Sequence, residues 1–392
     1  MSDIVILSAT RTPIGNFQGA LATLPASRLG AAAIRGAVVA AGVSPGDISD
    51  VLMGNVLTAG QGQAPARQAA LHAGLPAAVR TVTVHKVCGS GLQALMQGAH
   101  ALQAGMGELI VAGGMESMSQ APYLLPKARE GYRLGHREVV DSLITDGLWD
   151  PYDNIHMGSC AERCAEKYAF TRAEQDGYAI ASFQRANAAQ QAGLFAAEIT
   201  PVEITDVRGN VTTVSTDEGP AKVRYDKIPQ LKPAFQKDGT ITPANASSLN
   251  DGAAALVIAR AAEVQSRKLK PLARITAFGA HAHEPLWFTT TPVQAAQNAL
   301  KSAGWAVADV DLWEVNEAFA VVPLAFMREL GVPHEKVNVR GGAIALGHPI
   351  GCSGARIVVT LLAALRERGL KRGVAAICIG GGEGMAVCVE VM

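Results

Sequence analysis

The sequence has no surplus of charge, few aromatics, few cysteines and no long apolar run, and each shortage removes a class of function. Its 34 Lys and Arg balance 34 Asp and Glu over 392 residues, so no global field draws the chain to nucleic acid or to a membrane surface. An anionic ligand must then be held by local groups. No apolar stretch reaches the roughly 18 residues that cross a bilayer. The opening MSDIVILSATRTP has no basic segment ahead of its short apolar run and reads as a first strand rather than a signal peptide. Six cysteines, Cys88, Cys160, Cys164, Cys352, Cys378 and Cys388, lie mostly inside apolar runs, which predicts reduced thiols in a cytoplasmic setting and no disulfide framework.

Small and apolar residues are plentiful. With 49% hydrophobic residues, 17% charged, 5% aromatic and 41 glycines, the composition is that of a compact α/β protein with closely packed elements. The length exceeds what one core holds, so two or three domains or subdomains are expected. Strand-like DIVILSAT, DVLMGNVL, TVTVHKV and ELIVAGG alternate with helical LGAAAIRGAVVAAG and GLQALMQGAHALQAG, an order that predicts a mostly parallel sheet covered on both faces. Leu92, Leu95, Met96, Ala99 and Leu102 follow helical spacing in an apolar surround and predict a buried helix.

The C-terminal part repeats this order in ARITAFGA, DVDLWEVN, KVNVRGGAIAL, GARIVVTLLAALRERG, VAAICIGGG and MAVCVEVM. Ile110, Gly113, Gly114 and Glu116 match Ile377, Gly380, Gly381 and Glu383, and Ser90 and Gly91 match Ser353 and Gly354. Glycine-rich strand ends resemble one another by chance, but the shared order of elements favours an internal duplication. From about Ala121 to Asn250 lies an inserted, loop-rich region with Pro201, Pro220, Pro229, Pro233 and Pro243, of the kind that covers an active site. The run from Asp251 reads as a strand closing the first half.

Three residues stand in chemically suggestive settings. Cys88 follows a strand-like run and precedes a helix, so the helix dipole and free N–H groups are expected to lower its thiol pKa, and Gly89 and Gly91 to leave its approach open. The commoner fate of a free cysteine is a small buried hydrophobe. His348, between Gly347 and Gly351 and before Pro349, sits in a turn ahead of a helix. An imidazole there suits thiol activation, or is a satisfied structural histidine. Cys378 precedes Gly380, Gly381 and Gly382, whose N–H groups can face an oxyanion or simply form a hairpin turn.

Over essentially its whole length the chain resembles a thiolase of the acetyl-CoA acetyltransferase type. The resemblance is carried by ATRTPIGNFQGAL, VCGSG, IVAGGMESMS, HMG at His156 to Gly158, NASSLNDGAAA, NEAFA from Asn316, GGAIALGHPIGCSGARI and CIGGGEGM. It implies a five-layered α-β-α-β-α core of two duplicated βαβαβαββ halves, residues 1–120 with 250–270 and residues 271–392, and a loop domain inserted at 121–249 that binds CoA and makes the tetramer. It also implies reversible condensation of two acetyl-CoA to acetoacetyl-CoA through an acetyl-Cys88 intermediate. His348 would activate Cys88, and Cys378 would move the methyl proton. Asn316 would hold a water beside His348, and the Cys88 and Gly380 N–H groups would form a second oxyanion hole. No metal and no covalently bound cofactor is expected; the substrates are coenzyme A and its acyl esters. Condensing enzymes that elongate fatty acids lack the second cysteine, which separates them from this chain.

For CoA itself the resemblance implies His156, Met157, Ser247, Phe235 and Leu249 near the pantetheine arm, with Phe319 as a further substrate-binding residue. Where relatives place an arginine and a serine near the nucleotide, the chain reads GPAKVRYDKIPQ, leaving Lys222, Arg224 or Lys227 for the phosphates, with solvated surface residues as the plainer reading. The basic run Lys127, Arg129, Arg133, His136 and Arg137 resembles a tetramer-forming loop, a dimer of dimers. EPLWFTTTP puts Trp287 and Phe288 near the expected acyl pocket, as in relatives that accept 2-methyl-branched substrates, or merely packs the loop against the core. A broad-range degradative 3-ketoacyl-CoA thiolase is the second reading, and an inactive CoA-binding scaffold the reading from another class. The spacing of His156, Cys160 and Cys164 suits three metal ligands on one helix face, but no fourth follows. HAHE at His281 to Glu284 reads as a polar loop.

Overall fold

A computed structural model of the chain describes residues 3–392. Nine strands form one sheet: β1 (Ile4–Arg11), β2 (Ile48–Gly54), β3 (Arg80–Val84), β4 (Leu109–Ser117), β5 (Asn250–Arg260), β6 (Ala273–Ala282), β7 (Leu312–Val315), β8 (Arg372–Ile379) and β9 (Glu383–Val391). Their order is β7-β8-β9-β6-β1-β5-β4-β2-β3, and a short tenth strand, Gly15–Asn16, pairs with β5. The order mirrors itself about the antiparallel β1–β6 pair, where Ile4, Val5 and Ile6 meet Ile275, Arg274 and Ala273. Within the sheet the two halves are thus joined through three residue pairs.

The expectation of a mostly parallel sheet is not met. The β2–β3, β2–β4 and β7–β8 pairs are parallel, as helical crossovers require. The strands that open and close each half run the other way: β1–β5, β4–β5, β6–β9 and β8–β9 are antiparallel.

The helices that place the site are α1 (Ala26–Ala41), α2 (Pro65–His72), α3 (Ser90–Gln103), α4 (Met157–Tyr168), α5 (Arg172–Gln191), α6 (Thr291–Ala303), α7 (Val321–Leu330) and α8 (Ile350–Glu367). One core, with Leu92, Leu95, Ile357 and Leu361, surrounds α3 and α8 between the strands of the two halves. A second lies under α1 and α2, and a third under α4, α6 and α7. Helices outside, strands, paired central helices, strands and helices outside make the five layers. Central α8 is buried along almost every residue, which is why it reads as apolar all round.

The central helices cross at the two glycines matched by the internal repeat. A Cβ on Gly91 would meet the Ala355 nitrogen at 2.7 Å, and one on Gly354 would meet the Leu92 nitrogen at 2.5 Å. Gly91 therefore serves backbone approach between helices, not access to Cys88 as its position first suggests; Gly89 likewise packs against the Ile379 side chain.

The inserted segment is fastened from below by Arg11. Its buried guanidinium bonds Glu198 at 2.7 Å and Asp217 at 2.7 and 2.9 Å, and it lies over the Phe195 ring. α5 begins in a capping box in which Thr171 and Glu174 each accept the other's backbone N–H.

Candidate active site

Cys88 sits in the tight turn between β3 and α3. The turn is closed by the Ser90 hydroxyl, which accepts the Lys86 N–H at 2.8 Å and donates to the Val87 carbonyl at 2.6 Å, with Val87 at φ +43°. Cys88 itself is partly buried. Its sulfur faces two backbone donors, the N–H groups of Gly380 and of Cys88. Burial nevertheless outweighs them and, with the charge of Glu116, pushes the thiol up to about 11. The depressed pKa expected from a helix N-terminus is not realised, because desolvation of the thiolate exceeds what two N–H groups return.

His348 is held from two sides. Its backbone N–H donates to Asn250 Oδ1 at 3.0 Å, and its Nδ1 lies 2.5 Å from the Ser353 hydroxyl. Gly347 stands at φ +112°, and a Cβ there would strike the Asn250 side chain. Burial and the nearby Arg356 guanidinium push the imidazole down to about 3, so it is neutral at physiological pH. Its Nε2 is buried without a partner, and so are both side-chain polar atoms of Asn316. Buried polar atoms left without a partner are the kind that a small hydrogen-bonding ligand satisfies.

Cys378 ends β8 just before the glycine run. It is fully buried, and burial followed by the Cys88 charge raises its thiol well above the ordinary range. The run forms the β8–β9 hairpin, with Gly381 at φ +91° and Gly382 at φ +82°, so it is both a turn and the source of the Gly380 N–H. Behind Cys88, Glu116 accepts from Asn55 Nδ2 and from the N–H groups of Val56, Leu57 and Gly351 at 2.7–3.2 Å. Burial still lifts this carboxyl to about 7.

A cavity of about 260 Å³ opens onto this group. Cys88, His348 and Gly380 line its floor, and His156, Met157, Phe235, Ser247, Leu249, Phe288 and Phe319 line its walls. Asn316 and Cys378 lie outside its lining. His156 caps α4 by accepting the Gly158 N–H at 3.0 Å and stacks on Phe235 at 4.7 Å. Of the candidate phosphate contacts, Lys222 lines an adjoining groove that shares Ser248 and Leu249 with the cavity, and it pairs with Glu218 at 3.2 Å. Lys227 pairs with Asp226 at 3.7 Å, and Arg224 precedes a short helical turn at Tyr225–Gln230; neither lines either cavity. Trp287, expected near the acyl pocket, is not among its lining residues and lies under the Lys167 ammonium at 4.5 Å. The basic loop from Lys127 to Arg137 is exposed, with Leu134 exposed within it and Leu125 just before it.

Sequence reasoning missed Val87, Met118, Gly147, Leu148, Ala246, Ser248, Ala318 and Ile350 in the lining, and the bracing roles of Ser353, Asn250 and Glu116. Ser353 had left a signal, since it is one of the repeat-matched residues.

The thiolase N-terminal domain family model matches residues 4–262 and the thiolase C-terminal domain model residues 269–391. The acetyl-CoA acetyltransferase of Pseudomonas aeruginosa is 52% identical over 99% of both chains, and that of Cupriavidus necator 51% identical over 100% of both. The crystal structure of a Bacillus anthracis acetyl-CoA acetyltransferase superposes with a TM-score of 0.98 at 41% identity, covering 100% of this chain and 99% of that one. An Ascaris suum thiolase solved with coenzyme A superposes at 0.94 and 44% identity, covering both chains fully. With the two family models matching nearly all of its length and about half of its residues shared with full-length relatives, the chain belongs to the thiolase family.

Proposed function

We propose that the chain is an acetyl-CoA C-acetyltransferase that condenses two acetyl-CoA to acetoacetyl-CoA and CoA, and runs the reverse thiolysis. The observation that carries this reading is one cavity with a thiol, a neutral imidazole whose Nε2 has no partner, and a backbone N–H aimed at the sulfur. Full-length relatives near 50% identity bear the same activity in their names.

In the first half-reaction Cys88 Sγ attacks the thioester carbonyl and its proton passes to His348 Nε2. The oxyanion rests on the N–H groups of Cys88 and Gly380, the term that usually contributes most to such a step. Collapse expels the CoA thiolate, which takes the Cys378 proton and leaves as CoA. Acetyl-Cys88, a Cys378 thiolate and a His348 imidazolium remain. In the second half-reaction the Cys378 thiolate removes a proton from the methyl carbon of a second acetyl-CoA. The enolate oxygen is met by His348 Nε2–H and by a water held on Asn316. Its carbon attacks the acetyl group, acetoacetyl-CoA departs, and the Cys88 thiolate recovers its proton from His348. Protons and charges balance over the cycle.

CoA enters through the walls contributed by His156, Met157, Phe235, Ser247, Leu249 and Phe319, with Lys222 in the adjoining groove as the best-placed cation for its phosphates. The exposed loop around Lys127 to Arg137 is the tetramer contact in this reading. Among the described residues no helix is long and apolar enough to cross a membrane. Phe288, buried and lining the cavity, supports short acyl chains, with a 2-methyl group tolerated. The test is loss of acetoacetyl-CoA absorbance on adding CoA, repeated with longer and 2-methyl-branched 3-ketoacyl-CoA. Fastest turnover on the four-carbon substrates supports the reading; an optimum at longer chains replaces it with a broad-range thiolase, and no turnover at all leaves a scaffold.

A further inference from the structure

We propose that Ser353 is a positioning residue that fixes the tautomer of His348, and that the internal duplication supplied it. Ser353 is buried on the first turn of α8, and its hydroxyl lies between two groups: His348 Nδ1 at 2.5 Å and the Pro349 carbonyl at 3.0 Å. A hydroxyl has one hydrogen to give and two lone pairs to offer. When that hydrogen goes to the Pro349 carbonyl, the oxygen can only accept from the ring, so Nδ1 carries the proton. Nε2, which has no hydrogen-bond partner, is then left with its lone pair unprotonated on a residue that lines the cavity, as a base toward the Cys88 thiol requires.

The same hydrogen bond survives proton uptake. As an imidazolium His348 donates from both nitrogens, and Ser353 still accepts at Nδ1 without turning. This matters because burial and Arg356 both disfavour the cation. An acceptor on the far nitrogen returns part of that loss in the low-dielectric interior.

Ser90 provides the parallel. It occupies the position matched to Ser353 at the start of the other central helix, and its hydroxyl also gives a hydrogen to a carbonyl of the preceding turn while accepting an N–H, there from the Lys86 backbone. Each half thus braces one reactive turn with the same serine. In the first half the accepted donor is backbone and shapes the Cys88 loop. In the second it is the imidazole itself.

This inference rests on the proposed role of His348, and its test separates the two. Nitrogen NMR of histidine-labelled full-length wild type reads the His348 tautomer whether or not turnover is observed. The expected result is a protonated Nδ1 and a bare Nε2; a protonated Nε2 with a bare Nδ1 overturns the proposal. Ser353→Ala is then compared with Ser353→Thr, which keeps the hydroxyl. The Ala variant is expected to lose kcat by about 10- to 100-fold, the lower range of acid–base contributions. KM should change little because Ser353 is not among the cavity-lining residues, the tautomer signal should shift, and Thr should restore most of the rate. If the Ala variant does not fold, Ser353→Cys, similar in size and a weak acceptor, takes its place with the same expected loss. Unchanged kcat and tautomer in a folded Ala or Cys variant overturns the positioning role. An inactive wild type with the expected tautomer refutes the proposed function and leaves the tautomer assignment standing.

Discussion

Cys88 and His348 are each driven by burial toward the neutral form, the thiol up to about 11 and the imidazole down to about 3. At neutral pH the pair therefore rests as thiol and imidazole rather than as a thiolate–imidazolium ion pair, and in the proposed reaction the proton moves only when a thioester is in place. One consequence is measurable on the free enzyme. Alkylation of Cys88 by iodoacetamide should keep accelerating with pH through about 9 and beyond, where an ion pair would give a plateau near neutrality. Likewise kcat/KM should not fall between about pH 8 and pH 5 through protonation of His348, since its depressed pKa keeps it a base across that window. A fall centred near pH 6.5 would show that the imidazole is not desolvated in solution. At this scale the sequence singled out Cys88 and His348 but did not give their charge state. Exposure decides that, and Trp287 and Phe288 show how neighbours can differ: both lie in one short helical turn, Pro285–Thr290, yet Phe288 lines the cavity and Trp287 lies outside it, under Lys167.

At the scale of elements, the site is an assembly of turns, each fixed by a specific constraint. Gly347 allows the His348 turn because its φ of +112° and the Asn250 side chain leave no room for a Cβ. Gly347→Ala is expected to destabilise the fold by about 1–3 kcal/mol and to lower kcat, read by urea unfolding and by thiolysis rate; unchanged values would mean that the turn relaxes freely. Arg11 ties the inserted segment to β1 through Glu198 and Asp217, all buried. Arg11→Met strands two carboxylates in the interior, for which a loss of about 3–5 kcal/mol is expected, measured as a lower urea midpoint. Strand–turn–helix order at Cys88, and the turn ahead of a helix at His348, were legible because glycine, proline and the change of hydrophobic period mark them locally. The strand expected in KVNVRGGAIAL is not formed, and a short helix at Ala343–Leu346 precedes His348 instead. The bracing by Ser353, Asn250 and Glu116 was not, because those contacts join residues whose meeting depends on how five layers stack.

For the whole molecule, the duplication decides both architecture and chemistry. The two halves meet at β1–β6, and the central helices cross at the repeat-matched Gly91 and Gly354, which brings the Cys88 turn of one half beside the Cys378 and His348 turns of the other. The alternation of elements predicted a layered α/β fold but overstated its parallel pairing, since periodicity reports burial and not strand direction. Folding also carries a pH signature. His348 is held below its unfolded value, so its contribution is fully present above about pH 6.5 and is lost as the pH falls toward about 3, at up to about 1.4 kcal/mol per pH unit. Urea midpoints measured from pH 7 to pH 4 should fall less steeply in His348→Asn than in wild type. The most direct test of the central claim is mass spectrometry of the protein mixed with acetyl-CoA alone and digested. The account predicts one acetyl group on the peptide containing Cys88, removed by adding CoA and absent in Cys88→Ala. Acetyl on Cys378 instead, or a protein that never acquires the label, would contradict it.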